Sequence, residues 1–234
     1  MQFVEKNSFN VRSSVYSMRK VGSGIELLLF PMVHIGTRTF FEQVSERIRE
    51  CDVIFLEGVG GRRADLLTLS YRCIRFIRRM DLVTQQEGLD IKTFREKIRN
   101  ADIGANEFAA KWRGQSILFR LLIYAAVPVY SIYLALFGTR HLIAENIAVE
   151  DLETSDEVLL TDNDTEKFGD ILLKDRDTII IKYFSDFLLT NAGQSKTVAI
   201  VYGALHMRNI MNYLFEVEGY RIVDSEWLTV FDLY

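Results

Sequence analysis

The chain of 234 residues is 49% hydrophobic and 26% charged, with only 2 Pro and 2 Cys; this excludes a disulfide-stapled miniprotein and a disordered chain, and leaves one well-buried domain or a domain with a large insertion. A net charge of −4 gives no general attraction to phosphate backbones, so no nucleic-acid partner is expected. The mean hydropathy of +0.07 lies near the upper edge for a soluble domain and raises the question of where the apolar surplus is concentrated.

In chain order, Met1 to Asn10 carry Glu5 and Lys6 and lack the apolar stretch of a secretory signal, which predicts a cytoplasmic location. Ser14 to Lys20 and Ile25 to Val33, separated by Val21-Gly22-Ser23-Gly24, read as a hairpin entering a buried strand. Phe40, Phe41, Val44, Ile48 and Cys51 then recur at helical spacing with Glu and Arg between them. Asp52 to Val59 is a second apolar run, with Glu57 and Gly58 at its carboxyl end. Strand, helix and strand form a βαβ unit and argue for a parallel sheet. Ala64 to Met80 is read as a helix with Leu66, Leu69, Cys73, Ile77 and Met80 on one side and Arg72, Arg75 and Arg79 on another. That basic face is either solvated or set against anionic lipid or phosphate. A further helical stretch is expected around Ile91 to Trp112. Val149 to Asp164 is acidic and reads as a loop or short helices, and Asp175 to Leu189 has a helical pattern. Thr197 to His206 is read as a third strand ending in a histidine, followed by a helix over Met207 to Tyr220 and a fourth strand over Tyr220 to Trp227. The fold class is therefore α/β, a mostly parallel central sheet flanked by helices, in a single domain with a helical apolar insertion at about residues 62–170. Cys51 and Cys73 lie outside any C-x-x-C pair and are read as half-buried structural thiols.

The apolar surplus is local. Leu121 to Thr139 contains no charge, and as a helix it would nearly match a hydrocarbon core of about 30 Å. Pro128 near its middle is expected to kink such a helix or split it in two. Arg62 to Arg120 is strongly basic and His141 to Ser195 strongly acidic, an asymmetry that a membrane span would show.

His34, Glu57 and His206 share one kind of position, the carboxyl end of a predicted buried strand. That edge is where ligands bind in open α/β sheets. Two imidazoles and a carboxylate there could hold a divalent metal with a position open for water, or act without metal as a carboxylate–histidine pair that moves protons. Ordinary buried polar groups are the alternative.

Pro31-Met32-Val33-His34 with the following Ile35-Gly36, Glu57 at the end of the second strand, Arg176-Asp177 on a helix and Gly203-Ala204-Leu205-His206 together resemble the TraB/PrgY/GumN/TIKI family, related to the erythromycin-esterase-like and ChaN-like proteins. The second G-x-x-H motif is intact, whereas Pro31 stands where the first has its glycine. The matching blocks cover about the first 60 and last 60 residues. The resemblance implies a hydrolase of the metal-dependent peptidase kind, with His34, Glu57 and His206 as ligands of Mn, Co or Zn or as general bases. Arg176 would stabilise an oxyanion or clamp a carboxylate, and Asp177 would orient a neighbour. Glu107 lies where family members also carry acids and is a further candidate; His141 matches no motif and is read as a helix-end or surface residue.

A single crossing by Leu121 to Thr139 would put His34 and Glu57 on one side of a membrane and His206 on the other, and no shared site could form. A lid or substrate wall over the sheet is the preferred expectation for this segment. Membrane-surface contact and a membrane-associated location are the rival. The expected function is a hydrolase acting on a peptide or other amide or ester. The alternatives are a non-catalytic protein that sequesters a peptide or apolar ligand, as in pheromone shutdown, and a membrane-associated scaffold with a degenerate site.

Overall fold

The computed structural model describes residues 2–58, 77–145, 147 and 173–234. Alternating apolar side chains in a few long strands generate the sheet. Strand β1 is Val4–Lys6, β2 Asn10–Arg19 and β3 Ile25–Met32. The β2–β3 hairpin pairs Tyr16 with Leu29 and Met18 with Leu27, and Gly22 in its turn takes φ +81°, the left-handed region that favours glycine. Two residues of β4 (Ile35–Gly36) lead into helix α1 (Arg38–Arg49), capped by Thr37 accepting from the Phe40 N–H. The α1 stripe Phe40, Phe41, Val44 and Ile48 is buried, as its spacing predicts. Strand β5 is Val53–Leu56, β6 Val83–Thr84 and β7 Ile98–Asn100; between β6 and β7 lies the single turn α2 (Gln85–Gly88). Helices α3 (Ala105–Arg113), α4 (Ile117–Phe137), α5 (Arg140–Glu145) and α6 (Lys174–Thr190) follow, then β8 (Lys196–Gly203), α7 (Ala204–Glu216) and β9 (Arg221–Asp232).

The seven-stranded sheet has the order β1-β2-β3-β8-β5-β7, with β9 on the other side of β2. Strands β3, β8, β5 and β7 run parallel, whereas β1, β2 and β9 add antiparallel pairs; this is the α/β class expected, with helices on both faces. Residue parity sorts the core. Phe30, Ile54 and Val201 join Phe40 and Phe41 of α1 on one face, while Leu29, Phe55 and Ile200 meet Phe184 of α6 and Met207 and Leu214 of α7 on the other. Cys51 is fully buried, and burial pushes its thiol up to about 12, so it is an inert packing group.

Four sequence expectations are corrected. The stretch read as helix around Ile91 to Trp112 opens with turns and then contributes β7, which pairs in parallel with β5, so part of the expected insertion belongs to the sheet. The third strand stops at Gly203, and His206 lies in the first turn of α7 rather than at a strand end. The apolar segment is one uninterrupted helix that contains Pro128. That helix is not buried as a lid: its buried residues are Ser131 and Leu134. The basic helix read over Ala64 to Met80 falls, up to residue 76, outside the described residues, as does the acidic stretch Val149 to Asp164; Arg78–Met80 form one 3-10 turn.

Candidate functional site

Parallel strands deliver their carboxyl ends to one edge, and there β5, β7 and β8 place chemically active groups side by side. Glu57 follows β5, Asp102 follows β7, and Gly203 closes β8 and caps α7. The first turns of α6 and α7 bring Arg176, Asp177 and His206 onto the same edge.

Arg176 is the hub. Its Nε and Nη2 donate to Asp102 Oδ1 and Oδ2 at 2.8 and 2.7 Å, and Nη2 also donates to Glu57 Oε1. The side chains are 11% exposed for Arg176, 9% for Glu57 and 0% for Asp102. Asp102 completes its shell with the N–H groups of Gly58 and Ile103. Glu57 Oε2 accepts the Gly203 N–H at 2.5 Å, which seats a carboxylate at the amino end of α7, where the helix dipole favours an anion.

His206 is buried between two acids. Its Nδ1 donates to Asp177 Oδ1 at 2.6 Å, and its Nε2 lies 3.6 Å from Glu57 Oε1. Asp177 Oδ2 accepts in turn from Asn209, one helical turn beyond His206 on α7. Burial alone would drive the imidazole toward neutrality, but the bond to Asp177 and the nearness of Glu57 outweigh it and raise its pKa to about 9. Burial alone would likewise raise the Glu57 carboxyl; the His206 imidazolium and the Arg176 guanidinium overcome that and hold it far below the usual carboxylate range. At neutral pH the site therefore sets the Arg176 guanidinium and a protonated His206 against an ionised Glu57, with Asp102 and Asp177 as the acceptors that hold the two cations in place.

The structure thus gathers Glu57, Arg176, Asp177 and His206 into one network. His34 is exposed in the link between β3 and β4, with Nδ1 3.3 Å from Gln85 Oε1. It follows β3 at the carboxyl edge to which Glu57 also belongs, on the exposed side of the chain. Pro31 lies in β3 opposite Tyr202 of β8, past the ladder with β2, and its carbonyl accepts the Ser13 hydroxyl. Glu107 is not drawn in; it stands on the first turn of α3, 3.4 Å from Lys111. His141 is exposed on α5 and meets the Tyr234 ring edge-on. Asp102 and Asn209 are members that sequence reading misses. For Asp102 the available signal is an acid two residues after a strand, but that strand is only Ile98-Arg99-Asn100 and carries no apolar run.

A divalent ion would need open lone pairs on these side chains. Both Glu57 oxygens accept from protein donors, and a protonated His206 has no ring lone pair to offer. Among the described residues no group of three or more His, Cys, Asp or Glu side chains is arranged to hold a metal. In this arrangement His34, Glu57 and His206 do not fit a divalent ion. What the array can do is hold, donate and accept protons. No family model, no curated protein and no solved structure matches the chain.

Proposed function

We propose that the chain is a hydrolase of a peptide or other amide or ester, the reaction class that the resemblance to the TraB/TIKI group implies, working by proton transfer at the Glu57–His206 pair. The observation that carries this reading is the buried His206, kept protonated by Asp177, with Nε2 3.6 Å from Glu57, whose carboxyl is held well below the usual carboxylate range. Perturbed acid–base pairs of this kind cluster at functional sites. In this reading water forms the new bond to the substrate carbonyl carbon, and the bond from that carbon to the leaving nitrogen or oxygen breaks. His206 gives the leaving atom its proton, and Glu57 takes one from water. A carboxylate held this low is a weak base on its own. Its proton affinity rises as the imidazolium beside it loses its charge, so the two transfers help one another. Arg176 and the Gly203 N–H hold Glu57 in place, Asp177 orients the imidazole, and His34 borders the entry for substrate.

The test is an assay of the full chain against peptide, amide and ester panels, with Glu57→Gln and His206→Asn beside it. Turnover is expected to fall about 10²–10⁴-fold in each while ligand binding persists; unchanged turnover in both variants overturns the proposal. One observation favours the second reading, a non-catalytic protein that sequesters a peptide or apolar ligand: Glu57, Arg176, Asp177 and His206 hold one another rather than standing poised toward a substrate. Tight binding without turnover by the unsubstituted chain would select it.

A further inference from the structure

Helix α4 contributes nothing to the charge network, yet it is the most apolar part of the chain. It has 21 residues, a mean hydropathy of 1.8 over its most apolar window, and only 11% of that window is buried. Leu121, Leu122, Val129, Ile132, Leu136 and Phe137 are each more than half exposed, far beyond the scattered apolar residues of an ordinary surface. Its length of about 31 Å equals a hydrocarbon thickness, but both of its ends return to one domain. Before it, the buried Trp112 of α3 donates from Nε1 to Tyr124 at 2.8 Å. After it, Arg140 donates to the carbonyls of Met80 and Asp232, the latter in β9. A crossing helix would need the sheet on both sides of the bilayer, so α4 must lie along whatever covers it.

The charges around it identify the cover. Between Glu107 and Glu145 the chain has no acidic residue and four cations, Lys111, Arg113, Arg120 and Arg140, although the whole molecule is net negative. Arg113 is exposed at the end of α3. Tyr124, Tyr130, Tyr133 and Phe137 add the aromatic rings suited to the boundary between headgroups and acyl chains. We infer that α4 lies in the plane of an anionic phospholipid bilayer, its exposed apolar face in the acyl boundary and the exposed Arg113 before its amino end among the headgroups. The inference does not depend on the hydrolase reading.

Flotation of the full chain with vesicles of phosphatidylcholine alone, and of phosphatidylcholine with a minority of phosphatidylglycerol, tests it. The chain is expected to float with the anionic vesicles at least about tenfold more than with the neutral ones. Because Leu122 and Val129 are exposed, Leu122→Glu with Val129→Glu should keep the circular dichroism spectrum and abolish flotation, while Arg113→Glu should weaken it on anionic vesicles only. Failure to float with either vesicle, or equal binding to both, overturns the assignment. So does a concentration-dependent dimer in size-exclusion chromatography that the double substitution dissolves, since a second copy would then be the cover.

Discussion

A buried imidazole ordinarily loses its proton, because a low-dielectric surrounding disfavours the charged form. His206 keeps it because Asp177 accepts from Nδ1 at 2.6 Å and Glu57 lies beyond Nε2. Its pKa in the folded chain, about 9 against an ordinary 6.5, makes it stabilise the fold by on the order of 3 kcal/mol. That contribution is complete below about pH 6.5 and is lost as pH rises through about 9. Glu57 runs the other way: its folded value is depressed, so its contribution is present above the ordinary carboxyl pKa of 4.5 and is lost as pH falls below it. Urea stability should therefore decline on the alkaline side through about pH 9, and the ring resonances of His206 should titrate there by NMR. Asp177→Asn should bring that midpoint toward or below 6.5, and a midpoint that stays near 9 would refute the role assigned to Asp177. With Nε2 and Nδ1 both committed to protons, adding Mn, Co or Zn near pH 7 should leave these resonances and the melting temperature unmoved. A metal-dependent rise in melting temperature would show that the donor set rearranges to bind.

Between elements, the close approach of β8, α7 and β5 explains part of what the sequence conceals. Thr197 to His206 reads as one apolar run, yet the backbone turns from strand to helix at Gly203, and no periodicity in so short a stretch marks the change. A glycine three residues before a histidine is the visible clue. A Cβ at Gly203 would lie 3.1 Å from Glu57 Oε2 and 3.6 Å from His206 Cδ2, so a side chain there would press on the bond that seats the carboxylate. Gly203→Ala should leave the secondary structure intact by circular dichroism, move Glu57 away from the α7 terminus and lower the His206 midpoint. An unmoved midpoint would mean the carboxylate yields at no cost. By contrast β3, α1 and β5 are legible because their apolar residues follow a single period, and Glu57 stands where the second run ends. Strand β7 escapes because one half-buried Ile98 followed by Arg99 and Asn100 carries no apolar signature; with it goes Asp102. Helix α4 is legible as apolar but not as continuous, since Pro128 normally interrupts a helix.

Across the whole molecule, Arg176 and its partners join parts of the chain far apart in sequence: Glu57 after β5, Asp102 after β7, and α6 from the second half. The topology explains why motifs at the two ends of the sequence can meet, since β8 inserts between β3 and β5 and carries the start of α7 to the edge where Glu57 waits. It also settles what a linear reading cannot, that α4 does not separate Glu57 from His206, because their side chains come within 3.6 Å. A guanidinium shared by two buried carboxylates has a definite energetic consequence. Arg176→Met leaves Asp102 with no exposed side-chain surface and no counter-charge among the described residues, and removing one partner of a buried pair costs about 3–5 kcal/mol. Asp102→Asn alone should cost less, because Arg176 keeps Glu57. In the double variant the uncompensated acid at position 102 is gone, so the combined loss should fall below the sum of the two single losses by about 0.5–3 kcal/mol. Equilibrium urea unfolding of the four proteins measures this. Strictly additive losses would show that Arg176 and Asp102 act independently and that the two halves of the sheet are held at this edge by packing alone.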